Sequence, residues 1–246
     1  MLITLAAFWI LVLAGATRTE RRQAYARKPV AAWVLDAIGL GVQGGLVPLI
    51  ELGLVVSGLR LLAPGLGGSV RLPGDGLVAG FLLNVIAVDY LYYWNHRLLH
   101  TRLLWPVHLV HHTLNEMDVL GTARNTAWTS FLVVYVWVNG AVLFLLAQPE
   151  GYAAGAAVTA SLDLWRHSEL TPQPQSWLAR VLDKVLVLPS HHAWHHASEA
   201  VPGNFGANFS AWDRLHGTWI GGSRAPRRLG VTTALPLWRQ LWWPFP

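Results

Sequence analysis

The chain contains no cysteine. That removes disulfides, thiolate metal sites and cysteine nucleophiles, and leaves the redox compartment unreadable from thiols. Charge is scarce too: Asp, Glu, Lys and Arg make up only 13% of 246 residues, well below what a water-exposed surface is usually built from. There is no HExxH, the motif that sets a general base beside a hydrolytic metal. Nor do the histidine-bearing segments carry the paired carboxylates of a Glu/Glu-x-x-His bundle. The 18 Lys and Arg outnumber the 13 Asp and Glu, but they lie scattered beside apolar stretches instead of along one stripe, so nucleic acid is not expected as a partner. No internal repeat, low-complexity run or flexible linker divides the chain, which reads as one membrane domain.

What is abundant is apolar. Hydrophobic residues make up 53% of the chain, 14 of them tryptophan, and the mean hydropathy is +0.37, which predicts an integral membrane protein. Several stretches approach the roughly 17–25 residues that a helix needs to cross hydrocarbon. They are MLITLAAFWILVLAGAT at the start, Val47 to Leu62 with Glu51 inside it, Leu77 to Trp94, Ala127 to Ala147, and a short alanine-rich stretch from Tyr152 to Trp165. No basic residue precedes the first, and TRTERRQAYARK follows it, so it reads as an uncleaved anchor with its N-terminus outside, not as a signal peptide. PVAAWVLDAIGLGVQGG is read as an interfacial or re-entrant piece, and APGLGGSVRLPGDG as a loop punctuated by Gly and Pro. These crossings put residues 64–76 outside, 95–126 inside, the QPEG turn outside and everything after Trp165 inside. Nearly all basic residues then fall inside, as does every one of the 11 histidines.

The histidines form three sets. WNHRLLH places His96 and His100 four residues apart on one helix face, just past the third span. LWPVHLVHH carries His108, His111 and His112 at i, i+3 and i+4, and PSHHAWHH repeats that pattern with His192, His195 and His196, with His191 alongside. His167 stands alone in DLWRHSEL. A single histidine such as His216 is ordinarily a hydrogen-bonded core residue. Crowding many imidazoles is different, because it strands donors and acceptors at roughly 1–3 kcal/mol each, and coordination of a metal by neutral imidazole removes that cost. Eight or nine ligands exceed one site of three or four, so two ions are expected. Imidazole suits Zn, Fe, Cu and Ni, and affinity alone does not choose among them. The expected fold is all-α: an integral membrane protein with four to five transmembrane helices and a cytoplasmic, histidine-rich helical cap holding a dimetal centre.

HRLLH, HLVHH and HHAWHH, followed by NFGANFSAWDRLHGTW, together resemble the fatty acid hydroxylase / sterol desaturase superfamily, with its HxxxH, HxxHH and HxxHH motifs and its N-[FY]-G and WDRLFGT tail. The resemblance runs from about Asp89 to Ile220. YWNHRLLH, LWRHSEL and LPSHHAWHH are most similar to the alkylglycerol monooxygenase-like branch. The resemblance implies a non-haem di-iron oxygenase that uses O2 to hydroxylate or desaturate a lipid C–H bond. It implies two Fe ions, with Zn able to replace them on purification, and His96, His100, His108, His111, His112, His192, His195 and His196 as ligands. His167 would be a ninth ligand and His191 a tenth or a supporting donor. Asp89 and Asp163 are candidates for orienting ligands, with Glu169 beside them. Asn204, Gly206, Trp212 and Asp213 match the family tail, where Gly206 would permit a turn and Asp213 would pair with Arg214 or cap a helix. His216 replaces the family's usual Phe and is not expected to bind metal, and Arg124 is read as a boundary arginine.

The chain divides accordingly into an N-terminal transmembrane and interfacial region (1–76), a hydroxylase-like core (77–222) and an interfacial tail (223–246). At this length no haem or flavin reductase domain is expected within it, so electrons would come from a separate ferredoxin or cytochrome, or from a reduced pterin. The lipid would arrive from the bilayer, and the setting would be the cytoplasmic membrane of a bacterium, with the metal site on the cytoplasmic side. The competing reading is a histidine-lined metal transporter or sensor without oxygen chemistry. Transport would call for polar or ionisable residues at mid-membrane depth, and apart from Glu51 and Asn139 these are scarce.

Overall fold

The protein is described from a computed structural model covering residues 2–199, 202–221 and 226–245. The boundary placed at 222/223 and the start of the tail therefore lie outside the described residues. Helices dominate and there is no strand among the described residues, only isolated bridges.

α1 (Leu2–Ala16) and α2 (Thr19–Arg27) form a pair bent by 97°. The bend falls where LAGAT gives way to TRTERR, so the apolar and charged halves of the segment point in different directions. α3 runs unbroken from Val30 to Leu62, 33 residues. The segment expected as a separate interfacial or re-entrant piece is thus its first half, a correction with a local cause. Wide turns at Val42–Leu46 and Glu51–Val56 loosen the backbone pattern, and Pro48 sits at the start of the regular turn between them, where its missing N–H is tolerated. At about 1.5 Å per residue α3 is far longer than a hydrocarbon core is thick. Only 12% of its most apolar window is buried, and Leu61 and Leu62 are 84% and 85% exposed. Such a surface requires an apolar surrounding.

α4 (Leu77–Leu99) is the second helix long and apolar enough to cross a membrane, and the bent α1–α2 pair counts as a third if taken as one span. α4 extends five residues beyond the expected Trp94, so His96 rides on the spanning helix itself and not past its end. After the short α5 (Trp105–Leu109) come α6 (Val134–Leu145) and α7 (Glu150–Arg166). The stretch expected to span from Ala127 to Ala147 is regular helix only within α6, because Thr129–Leu132 winds into a tighter turn. Last come α8 (Trp177–Leu182), α9 (Pro189–His195), α10 (Ser210–Leu215) and α11 (Leu237–Trp242).

α4 and α7 cross closely. A Cβ on Gly151 would stand 2.0 Å from the Leu77 carbonyl oxygen, and one on Gly80 would stand 2.8 Å from the Tyr152 nitrogen, so only glycine allows this approach. Polar contacts fasten the crossing. Tyr152 donates to Asn139 Oδ1 at 2.7 Å, Asn84 donates to the same oxygen at 3.4 Å, and Thr159 donates to Asn84 at 3.3 Å. This crossing fixes the ends of α4 and α7, and those ends carry His96 and His167.

Candidate metal centre

Nine imidazoles converge in two groups. One holds His96, His100, His108, His112 and His195; the other holds His111, His167, His192 and His196. Within each group one ligand-capable atom per residue lies within 4.8 Å of all the others. The sequence sets do not each aim at a single point, as their spacing suggested, because each HxxHH is divided. At about 100° per residue, positions i and i+4 differ by about 40° around a helix, whereas i+3 falls about 60° to the other side. His108 and His112 accordingly face the first group and His111 the second. His192 and His196 face the second and His195 the first. The backbone sharpens the split in the middle set, where α5 ends at Leu109 and His111–Thr113 forms a tighter turn.

Four rings are oriented by backbone carbonyls. His96 donates from Nδ1 to Phe205 O at 2.9 Å, His195 to Gly203 O at 2.7 Å, His111 to Arg124 O at 3.2 Å and His167 to Asp163 O at 2.8 Å. A carbonyl only accepts, so Nδ1 carries the proton and Nε2 of the neutral ring presents a lone pair. The Nε2 atoms of His111 and His167 nevertheless lie 3.3 Å apart, two lone pairs facing each other. The Nε2 atoms of His96 and His108 are separated by 3.0 Å, those of His167 and His192 by 3.0 Å, and those of His192 and His196 by 3.1 Å. Nitrogens on adjacent corners around one ion at about 2.1 Å would stand roughly 3.0–3.4 Å apart. The buried Nε2 atoms of His100, His112 and His195 have no hydrogen-bond partner at all. Stranded lone pairs at coordination spacing fit a cation in each group.

Burial favours the form such ions need. Desolvation, reinforced by neighbouring rings, holds the pKa values of His108, His111, His112, His192 and His196 well below the usual imidazole value. Desolvation brings His195 down to about 3 and the half-buried His100 to about 2. These rings are neutral at physiological pH.

His191 belongs to neither group. Its Nδ1 accepts from the Leu188 N–H at 3.1 Å, its Nε2 lies 2.9 Å from Asp183 Oδ1, and its ring packs on Trp219. With both nitrogens engaged it fastens the start of α9 and stands apart from the nine imidazoles of the two groups. His216 stacks on Tyr90 and Tyr93 away from both groups. Asp89 touches no imidazole. Its carboxylate receives the N–H groups of Asn208 and Phe209 and the Trp212 indole, tying the tail segment to α4. Asp163 lies 3.3 Å from His167 Nδ1 and pairs with Arg166.

Asn204 adopts a left-handed backbone, φ 54°, and bridges His191 O and Ile220. The turn therefore rests on Asn204 and, as expected, on Gly206, where a Cβ would stand 2.6 Å from Phe209 O. Asp213 neither pairs with Arg214 nor caps a helix. It receives the N–H groups of Phe205 and Gly206 and the Thr218 hydroxyl, and so holds the turn whose carbonyls orient His96 and His195. Arg124, expected as a boundary arginine, is buried within the protein, 4% exposed. Its Nε donates to Asp36 Oδ1 at 2.6 Å and its Nη1 to Thr113 O at 3.2 Å. Asp36 also pairs with Lys28. Sequence reasoning missed the Asp36–Arg124 pair; the only signal for it was an acid, Asp36, in the otherwise uncharged first half of α3.

A membrane-associated helical scaffold that gathers nine imidazoles into two pockets of ligand spacing defines a histidine-rich membrane protein able to hold metal ions. Residues 81–218 match the family of fatty acid hydroxylases, and the chain belongs to that family. It is 27% identical to an alkylglycerol monooxygenase of Xenopus tropicalis over 157 residues, which is 61% of this chain and 32% of that protein. It is 28% identical to the Homo sapiens alkylglycerol monooxygenase over 138 residues, 54% of this chain and 29% of that one. It is 30% identical to the ornithine lipid hydroxylase OlsE of Rhizobium tropici over 143 residues, 56% of this chain and 41% of that one. The matched region thus spans between a quarter and a half of these relatives' lengths. The similarity to the alkylglycerol monooxygenase-like branch stands with them. No solved structure matches the chain.

Proposed function

We propose that the chain is a membrane-bound non-haem di-iron oxygenase that hydroxylates a C–H bond of a lipid. The observation that carries this is the pair of imidazole groups, in which His96, His100, His108, His112 and His195 would hold one ion and His111, His167, His192 and His196 the other. Bound iron supplies O2 activation and C–H oxidation, with one oxygen atom entering the lipid and the other leaving as water at the expense of two electrons from a separate donor.

The chain's own part is to keep the rings neutral by burial, to fix their tautomers with the carbonyls of residues 124, 163, 203 and 205, and to exclude water. Lipid reaches this centre from the bilayer, while electrons arrive from the aqueous side through a ferredoxin, a cytochrome or a reduced pterin. With α6 and α7 completing the spans, the membrane region comprises four to five helices. The metal-binding cap lies on the cytoplasmic face of a bacterial cytoplasmic membrane, and residues 77–222 form the catalytic core. The relatives' names, a monooxygenase of alkylglycerols and a hydroxylase of ornithine lipids, support hydroxylation over desaturation and over metal transport.

The test is oxygen uptake and lipid oxidation by the purified, ferrous-loaded protein given membrane lipid extract and a chemical reductant. A gain of one oxygen in a lipid by mass spectrometry, abolished in both His112→Ala and His195→Ala, is the expected result. Unchanged turnover in both variants would defeat the reading.

A further inference from the structure

Six tyrosines occur in the chain. Tyr25, Tyr90, Tyr93 and Tyr152 all use their hydroxyls in hydrogen bonds. Tyr92 and Tyr135 do not, among the described residues. Tyr92 lies one turn before His96 on α4, with ring centroids 5.3 Å apart. Tyr135, in the first turn of α6, stacks on Tyr92 at 5.0 Å with the planes only 9° apart. Both rings are half-buried. A phenol within an apolar bundle normally finds a partner for its hydroxyl, and two adjacent ones without any are a pair of donors held ready.

Asp163 and Arg166 on α7 are near both phenols. The Asp163 side chain is 38% exposed, although its neighbours Arg166 and His167 are only 3% and 2% exposed, so it is the accessible polar group of this stretch. Tyr92 and Tyr135 stand within electrostatic reach of Asp163 and Arg166. Tyr92 thus stands against His96 of one imidazole group, and Asp163 against His167 of the other. Asp163 already receives Arg166, which leaves the phenols as the unengaged donors.

We propose that the Tyr92 and Tyr135 hydroxyls bind a hydrogen-bond-accepting oxygen of the substrate, so that the lipids accepted carry an ether, ester, amide or hydroxyl oxygen near the oxidised carbon. This rests on the hydroxylase reading and names the substrate class for the same centre. A site that hydrogen-bonds a substrate oxygen discriminates strongly against an analogue lacking it, because its own polar groups are then left unpaired. A plain hydrocarbon segment is correspondingly disfavoured.

The experiment measures equilibrium binding to the full, iron-loaded chain in detergent under argon, where no turnover occurs. The probes are radiolabelled 1-O-hexadecylglycerol, N-hexadecanoylglycine and hexadecane. Tyr92→Phe and Tyr135→Phe keep both rings and their stacking. Each should weaken the two oxygen-bearing probes about tenfold, and the double variant about a hundredfold, with hexadecane unchanged. Equal losses for all three probes, no loss for any, or loss of bound iron from the variants would each overturn the proposal. If the discrimination holds and no lipid is oxidised once air is admitted, the subsite stands and the hydroxylase reading fails.

Discussion

Around His96 five imidazoles meet, and one of them, His100, remains half-buried; around His192 four meet, and all four are buried. The two groups also differ in what orients them. His96 and His195 donate to the carbonyls of Phe205 and Gly203, in a turn held by the Asn204 amide and the Asp213 carboxylate. His111 and His167 donate to the carbonyls of Arg124 and Asp163, whose side chains are locked in the Asp36–Arg124 and Asp163–Arg166 ion pairs. One group is thus steadied by the turn at residues 203–206 and the other by charges drawn from α3 and α7. The same motif chemistry can be supported by unrelated parts of a chain, provided a carbonyl arrives at each Nδ1.

The largest effect should come from removing a ligand where there is none to spare. In His196→Ala the four-membered group falls to three, and elemental analysis should show metal dropping from about two ions per chain to about one. His100→Ala leaves four imidazoles in its group and should retain about two ions with weaker binding. His191→Ala should keep both. Equal metal loss in all three variants would erase the distinction between the groups.

Acid comes next. Burial penalises the charged form of His100, His108, His111, His112, His192, His195 and His196 and holds them far below the usual range, whereas in the unfolded chain they take up protons near pH 6.5. Stability of the metal-free protein is therefore complete above about pH 6.5 and declines as pH falls below it, by at most ~1.4 kcal/mol per pH unit for each ring. Thermal unfolding followed from about pH 7.5 to 5.5 should show a monotonic decline. A flat profile would mean that the rings are not buried as neutral bases.

The smallest and most selective change is Asp36→Asn. It weakens the anchor of Arg124 and, through it, the orientation of His111, and should lower metal affinity in the four-membered group about 10–100-fold while sparing the other. Competition with a graded series of chelators separates the two affinities. Equal weakening at both would show that Asp36 acts on the fold as a whole.

The sequence made the metal chemistry readable because helical spacing forces imidazoles onto shared faces. It could not show that each HxxHH would serve two groups, since that depends on the tight turn at His111–Thr113 and on where the partner segments stand. Nor could it show the carbonyl supports, because a backbone oxygen leaves no mark on residue identity. Asp36 and Arg124 lie 88 positions apart and meet only after α3 folds against the loop. PVAAWVLDAIGLGVQGG and the span from Val47 form the single helix α3 although Gly41, Gly44, Gly45 and Pro48 stand where they meet. In an apolar environment helix remains the cheapest way to satisfy the backbone, and widened turns absorb the proline.

The division of each HxxHH has a further consequence. The turn carrying His111 and the helix carrying His195 contribute to both pockets, so filling one pocket stiffens backbone that walls the other. The second cation then meets a partly ordered seat and should be captured more tightly than the first, giving sigmoidal loading without any shift in overall shape.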